Sequence, residues 1–322
     1  MKAGIIIGGA VLLIAGIALI VFALLSGGTV FHFGTGSEVT STYTPGEEYD
    51  SILVSTDVTD IVFAKSEDGK TTVVCSEREH ARHSVKIENG TLKIIREFEN
   101  DSLPWTGLWN PTMKVTVYLP GESFESLKIS AATGDMTVPD GFAFKSAEIT
   151  LSTGDTVFNS DVAGTLKITA STGDVSLDGV SAGDVSLTVT TGKAVCSDLK
   201  AAGDLSVSVS TGKAELTGVR CGRNFSSTGG TGKIIMKDLI AEGTITIERT
   251  TGDVRFDGCD AAGLTVKTST GDVSGELLTP KTFNARSTTG DVSVPASQSG
   301  GGCEIRTTTG DIGITVSGKG AE

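Results

Sequence analysis

Ten times, at intervals of 19 or 20 residues, the chain returns to Thr-Gly followed by Asp or Lys. The glycines are Gly134, Gly154, Gly173, Gly192, Gly212, Gly232, Gly252, Gly271, Gly290 and Gly310. A fixed period of this length marks a solenoid, in which a repeat is one coil that buries its apolar face only against its neighbours. Aligned on the glycine, the positions seven and five before it and two after it are mostly aliphatic, as in Leu127, Ile129 and Met136 or Leu166, Ile168 and Val175. Ser, Thr, Lys and Asp fill most positions between, and this alternation of period two is a strand with one buried face. A second turn of small residues closes the coil, as in Ala182-Gly183-Asp184 and Ala202-Gly203-Asp204, because Gly tolerates positive φ and Asp hydrogen-bonds local backbone. The expectation is an all-β fold, a β-solenoid of about ten two-strand coils over residues 121–322. A three-sheet coil ranks second.

The rest of the chain divides by composition. Ala3 to Leu25 is an apolar run without charge, long enough as a helix to cross a hydrocarbon core of about 30 Å. A cleaved signal peptide wants a shorter run and a small-x-small site, which Ala23-Leu24-Leu25-Ser26-Gly27 does not offer. A buried core helix fits poorly beside so polar a β-chain. Residues 1–27 are therefore expected to be an uncleaved transmembrane anchor. Lys2 favours a cytoplasmic N-terminus, with the bulk of the chain outside the cell membrane. Residues 28–45, rich in Gly, Ser and Thr, read as a flexible stalk. Residues 46–120 contain short strand patterns without the glycine period, and read as an N-terminal β cap with degenerate first coils, since an open solenoid end exposes core and strand edges. The formal net charge of −13 argues against nucleic acid as a partner.

The strand region from Tyr49 to Phe63, the segment ending Val115-Thr116-Val117-Tyr118-Leu119-Pro120 and the serial Ser/Thr-Thr-Gly-Asp-Val copies follow one another in a recognisable order. The chain thereby resembles a bacterial adhesin-like family of β-strand-repeat domains of undefined function, over roughly residues 46–316. The resemblance implies a membrane-attached or cell-surface β-solenoid. Some relatives are linked with adhesion-like roles, and others with envelope-stress signalling against membrane-active agents. It brings no catalytic residues with it.

Chemistry-bearing residues are few. The residue after each repeat glycine forms a column: Asp135, Asp155, Asp174, Lys193, Lys213, Lys233, Asp253, Asp272, Asp291 and Asp311. Stacked Asp253, Asp272, Asp291 and Asp311 are the candidate Ca²⁺ ligands, set against the simpler reading of solvated turn aspartates. Lys193, Lys213 and Lys233 either relieve repulsion, with favourable neighbours Asp174/Lys193 and Lys233/Asp253, or dock an anionic polymer. Trp105 and Trp109 lie in a proline-containing loop that plugs the solenoid end or presents an aromatic patch to a partner. Cys75, His80 and His83, among Glu77 and Glu79, have loosely metal-like spacing but read as surface polar residues. Cys196, Cys259 and Cys303 fall in aliphatic columns and read as buried small hydrophobes. Gly229-Gly230-Thr231-Gly232-Lys233 is the repeat rather than a phosphate loop, since Ile234 follows the lysine. Arg249, at a nominally inward position, reads as a register change or a snorkelling side chain.

No acid/base pair or nucleophile constellation stands out, and the unvarying spacing leaves no long loops of the kind on which catalytic groups are carried. The expected function is a non-enzymatic, adhesion-like surface module for a cell-envelope protein or glycan. The alternative is a regulator of an envelope-stress sensor acting through a membrane protein partner.

Overall fold

The computed structural model describes residues 38–78, 81–98, 113–121, 123–296 and 299–317. The apolar run Ala3 to Leu25 and the loop with Trp105 and Trp109 lie outside the described residues. Among the described residues all regular structure is β, and no helix is long and apolar enough to cross a membrane.

Each regular coil contributes to three parallel ladders. In the middle of the stack Lys200 and Ala201 pair with Arg220 and Cys221. Leu205 to Val209 pair with Phe225 to Gly229, and Ala214 to Thr217 pair with Ile234 to Lys237. The expected two-strand coil is thus corrected to three segments. The extra segment pairs over only two residues here, too few to show a period in sequence. Elsewhere it is joined to the long strand through a register shift, as between Val162 and Leu166, where small residues let the chain bend. Alternation sends Leu205, Val207, Val209, Ala214, Leu216, Val219 and Cys221 inward, and all are buried in one continuous core.

The Thr-Gly corner is where the repeat is most constrained. All ten glycines have φ between 128° and 145°, a region that side chains with a Cβ avoid. A Cβ added there would stand 1.6 to 2.2 Å from a carbonyl oxygen of the neighbouring coil. Conformation and close packing both demand glycine.

Among the described residues six strands precede the first regular coil: β1 (Glu38–Tyr43), β2 (Ser51–Lys65), β3 (Thr72–Arg78), β4 (Ala81–Glu88), β5 (Thr91–Phe98) and β6 (Met113–Leu119). The first half of β2 pairs in parallel with β7 (Ser123–Thr133) on one side and with β5 on the other. Its second half pairs in parallel with β6 and with Met136–Val138. Beyond these layers pairing turns antiparallel. β4 folds back on β5 through Asn89-Gly90, with φ of 53° and 70°, the Asn-Gly hairpin turn. β3 runs antiparallel to β6, and β1 antiparallel to β3. β1, Glu38–Tyr43, thus lies inside the segment expected to be a flexible stalk.

The other end departs from sequence order. Gly301–Thr309 lies between Val254–Thr270 and Lys281–Thr289, so that Cys303 faces Leu264 on one side and Phe283 on the other. Ile312–Val316 likewise lies between Val273–Leu277 and Val292–Ser293. The last coil in sequence is tucked in as the second to last in space. Burial explains the exchange. The tucked coil points Cys303, Ile305, Ile312 and Ile314 inward, all buried, whereas the outermost coil offers Phe283, Ala285 and Ser287, which stay partly exposed. The more apolar coil takes the position with a neighbour on each side.

Candidate functional site

Outward positions of the long ladder form rows along the stack. The residue before each repeat glycine is threonine in all ten copies, and all ten side chains are exposed. In spatial order they run Thr133, Thr153, Thr172, Thr191, Thr211, Thr231, Thr251, Thr270, Thr309 and Thr289, each in register with the next. The backbone holds them tightly, because the following glycine donates its N–H to a threonine carbonyl of the neighbouring coil, as from Gly173 to Thr191 at 3.0 Å and from Gly252 to Thr270 at 2.8 Å. A second row, Ser130, Thr150, Thr169, Thr188, Ser208 and Thr228, runs beside it and then turns charged through Glu248, Lys267, Arg306 and Arg286. Threonine suits this place because its branched Cβ favours strands while its hydroxyl both donates and accepts. Strand spacing sets the hydroxyls about 4.8 Å apart.

The charged column beside the glycines serves first as a hydrogen-bond ladder. Each aspartate Oδ1 accepts the backbone N–H of the next coil's equivalent residue: Asp135 on Asp60 at 2.8 Å, Asp155 on Asp135 at 2.9 Å, and Lys193 on Asp174 at 2.8 Å. Asp60, in the aperiodic cap, is thus the first member of a column whose sequence signal starts only at Asp135. Towards the other end the bonds run Asp253 to Asp272 to Asp311 to Asp291. The expected calcium row Asp253, Asp272, Asp291, Asp311 is corrected in order, since Asp291 neighbours Asp311 and not Asp272. Among the described residues no three carboxylates of this column bring donor atoms within 4.8 Å of one another.

Two of the three lysines are paired as the spacing suggests, and Lys213 finds another partner. Lys193 meets Asp174 at 3.5 Å and Lys233 meets Asp253 at 2.7 Å, while Lys213 pairs with Glu215. The hydrogen bond from Lys233 holds the Asp253 carboxyl below its ordinary range, and the same contact raises Lys233. A parallel ladder runs along the second turn, where Asp204, Asn224 and Thr244 donate in series to Asp184, Asp204 and Asn224. Arg223 bridges Asp184 and Asp204 there.

Within the regular coils, Arg249 and Lys281 are described charged residues buried among the aliphatic columns. Arg249 keeps its register opposite Gly229 and lies buried over Ser227, donating to the Ser227 hydroxyl at 2.8 Å and the Val209 carbonyl at 3.3 Å. This corrects both expectations for it, register change and snorkelling. Burial lowers its guanidinium to about 10, and the smallness of Ser227 and Gly229 makes the room. Lys281 is also buried, with Nζ donating to Asp260 and Thr279 at 2.6 Å each, beside a cleft of about 430 Å³ lined further by Glu242, Pro280 and Gly300.

All five cysteines are unpaired and buried. Burial pushes the thiols of Cys75, Cys196, Cys221 and Cys303 up to about 12, and that of Cys259 to about 11. Protonated and out of solvent, the four in the coils, Cys196, Cys221, Cys259 and Cys303, act as small hydrophobes. Cys75 stands apart. It lies beside Glu77 and His83, and all three are buried, which corrects their reading as surface residues. His80 and Glu79 fall outside the described residues.

A family model described as Toastrack DUF4097 matches residues 49–208 and 197–322. No curated protein matches the chain. Among solved structures it is similar to a candidate adhesin from Parabacteroides merdae, at 13% identity and TM-score 0.45, covering 88% of this chain and 98% of that one. A candidate adhesin from Parabacteroides distasonis gives 13% identity and TM-score 0.44, with 85% and 98% covered. One from Bacteroides fragilis gives 13% and 0.38, with 87% and 97% covered.

Proposed function

The chain belongs to the Toastrack DUF4097 family, and on that premise we propose that it is a binding module, anchored in the cell membrane by Ala3 to Leu25, whose long outer face grips a cell-envelope glycan. The observation that carries this reading is the row of ten exposed threonines in register. Their hydroxyls are neutral, held at one spacing by the backbone ladder, and able to donate and accept at once. Sugar hydroxyls along an extended glycan repeat in the same manner, and a rigid array meets them without ordering loops first. The acidic balance of the chain favours neutral or cationic partners over anionic polymers and nucleic acid. No cofactor enters this reading, and the role is binding rather than catalysis.

The test is co-sedimentation of the purified protein with insoluble cell-wall glycan, comparing wild type with the triple variant Thr191→Val, Thr211→Val and Thr231→Val. These substitutions keep the branched Cβ and remove only hydroxyls, so the fold is retained. Binding is expected to weaken at least about tenfold, or 1.4 kcal/mol. Equal binding by the two proteins refutes the face. Cross-linking in cells separates the alternative: capture of a membrane sensor or its partner, with no glycan, replaces this reading by regulation of envelope stress.

A further inference from the structure

The cap holds a cluster that neither the repeat nor the outer face explains. Cys75 and Glu77 sit two apart on β3 and so share its inward face, and His83 enters from β4. The side chains of Glu77 and His83 are fully buried, as is Cys75. A donor atom of each lies within 4.8 Å of the others. Glu77 accepts from the Ser41 hydroxyl at 2.6 Å and from the His83 backbone N–H at 2.7 Å, and its Oε2 lies 3.1 Å from His83 Nδ1. Among the described residues His83 Nε2 is buried without a hydrogen-bond partner. A ring nitrogen kept from water and left unmatched costs free energy.

We propose that Cys75, Glu77 and His83 bind one divalent cation of the zinc type where β1, β3 and β4 meet.

The donor set selects the metal. One thiolate, one imidazole and one carboxylate suit borderline-soft zinc, whereas calcium and magnesium take oxygen alone. With bonds of about 2.0 to 2.3 Å, a tetrahedral ion needs its ligand atoms under about 4 Å apart. The observed separations close to that with small side-chain movements. Charge also balances, since the ion's two positive charges are met by thiolate and carboxylate, and the imidazole stays neutral. Binding releases one proton, from the Cys75 thiol, while His83 ligates through Nε2 and keeps its proton on Nδ1, beside Glu77 Oε2 at 3.1 Å. Affinity therefore rises with pH. The location has a use for a cross-link: among the described residues β3 and β4 pair only at Arg78 with Ala81, after which β3 pairs with β6 and β4 with β5.

The experiment titrates Co²⁺ into the metal-stripped full-length protein. One equivalent is expected to produce a near-ultraviolet thiolate-to-cobalt charge-transfer band, with visible bands of tetrahedral cobalt, all bleached by Zn²⁺. Cys75→Ser removes the charge-transfer band, Glu77→Gln weakens binding at least about tenfold, and Cys196→Ser, in a distant buried column, changes nothing. Wild type without the band at excess cobalt overturns the site, as does a band that survives Cys75→Ser. Should that variant not fold, wild type decides alone. Zn²⁺ must protect Cys75, mapped by peptide mass, from a thiol reagent in partial denaturant, and equal labelling with and without the ion rejects the proposal.

Discussion

Gly232 shows how much one missing methyl group decides. Its φ is 132°, and a Cβ there would lie 1.6 Å from the Gly212 carbonyl oxygen. Neither problem can be relieved by a rotamer, because the obstacle is backbone held by ladders on both sides. Gly179 differs: its φ of 68° is the left-handed region and a Cβ would meet nothing within 4 Å. The chain itself places Asp198 and Asp238 in that same column at 51° and 52°, since aspartate tolerates this conformation. Gly232→Ala is therefore expected to cost at least about 3 kcal/mol, combining strain with overlap. Gly302→Ala, with open space around it, should stay within about 0.5 kcal/mol. Urea midpoints of the two variants make the comparison, and equal midpoints would remove close coil packing as the reason for the repeat.

What was legible in the sequence follows from how locally each element is specified. The glycine corner recurs in every coil and its flanking aliphatics alternate, so period, strands and inward columns such as Leu205, Val207 and Val209 could be read directly. The ladder through Lys200 and Ala201 could not, since two paired residues carry no periodicity. The threonine row was visible as part of the repeat, yet its chemistry emerges only when coils are stacked. Burial of Cys75 and His83 depended on the hairpin at Asn89-Gly90, a turn signal present in the sequence that brings β4 back along β5. The exchanged order of the last two coils needs a comparison between coils rather than within one: Ile305 and Ile312 against Ala285 and Ser287. That exchange yields a contrast between two strands. Ile305→Asp, in Gly301–Thr309, puts a carboxylate between two layers and is expected to cost more than about 3 kcal/mol. Ala285→Asp, in Lys281–Thr289 at the open end, keeps access to water and should cost about 1 kcal/mol or less. A coil order following the sequence demands the opposite ranking, so chemical denaturation of both variants decides the topology.

At the scale of the whole stack, stability is a sum of neighbour contacts, and the two ends are built differently. Each interior coil is paired above and below through its ladders, and free energy accumulates with every interface. Towards the N-terminal side, parallel layers give way to antiparallel β3, β1 and the β4–β5 hairpin, which cover the core edge of β2. Towards the other side, among the described residues Lys281–Thr289 and Val292–Ser293 pair with one neighbour only, and Val292 is exposed. Opening is thus expected to start at the outermost coil and move inward one layer at a time. Hydrogen exchange measures this layer by layer. Ladder amides of Leu205–Thr217 should exchange roughly a hundredfold more slowly than those of Lys281–Thr289, a difference near 2.8 kcal/mol. Protection should fall in spatial order, with Gly301–Thr309 slower than Lys281–Thr289 although it comes later in the chain. Uniform protection would instead mean that the coils open as one cooperative unit, with no weak end. The gradient also bears on binding. The threonine row keeps its register where neighbours exist on both sides, so Thr191, Thr211 and Thr231 present the rigid part of the array. The hydroxyls of Thr289 and Thr309 belong to the layers that loosen first, so Thr289→Val and Thr309→Val should weaken glycan binding less than the central triple variant does.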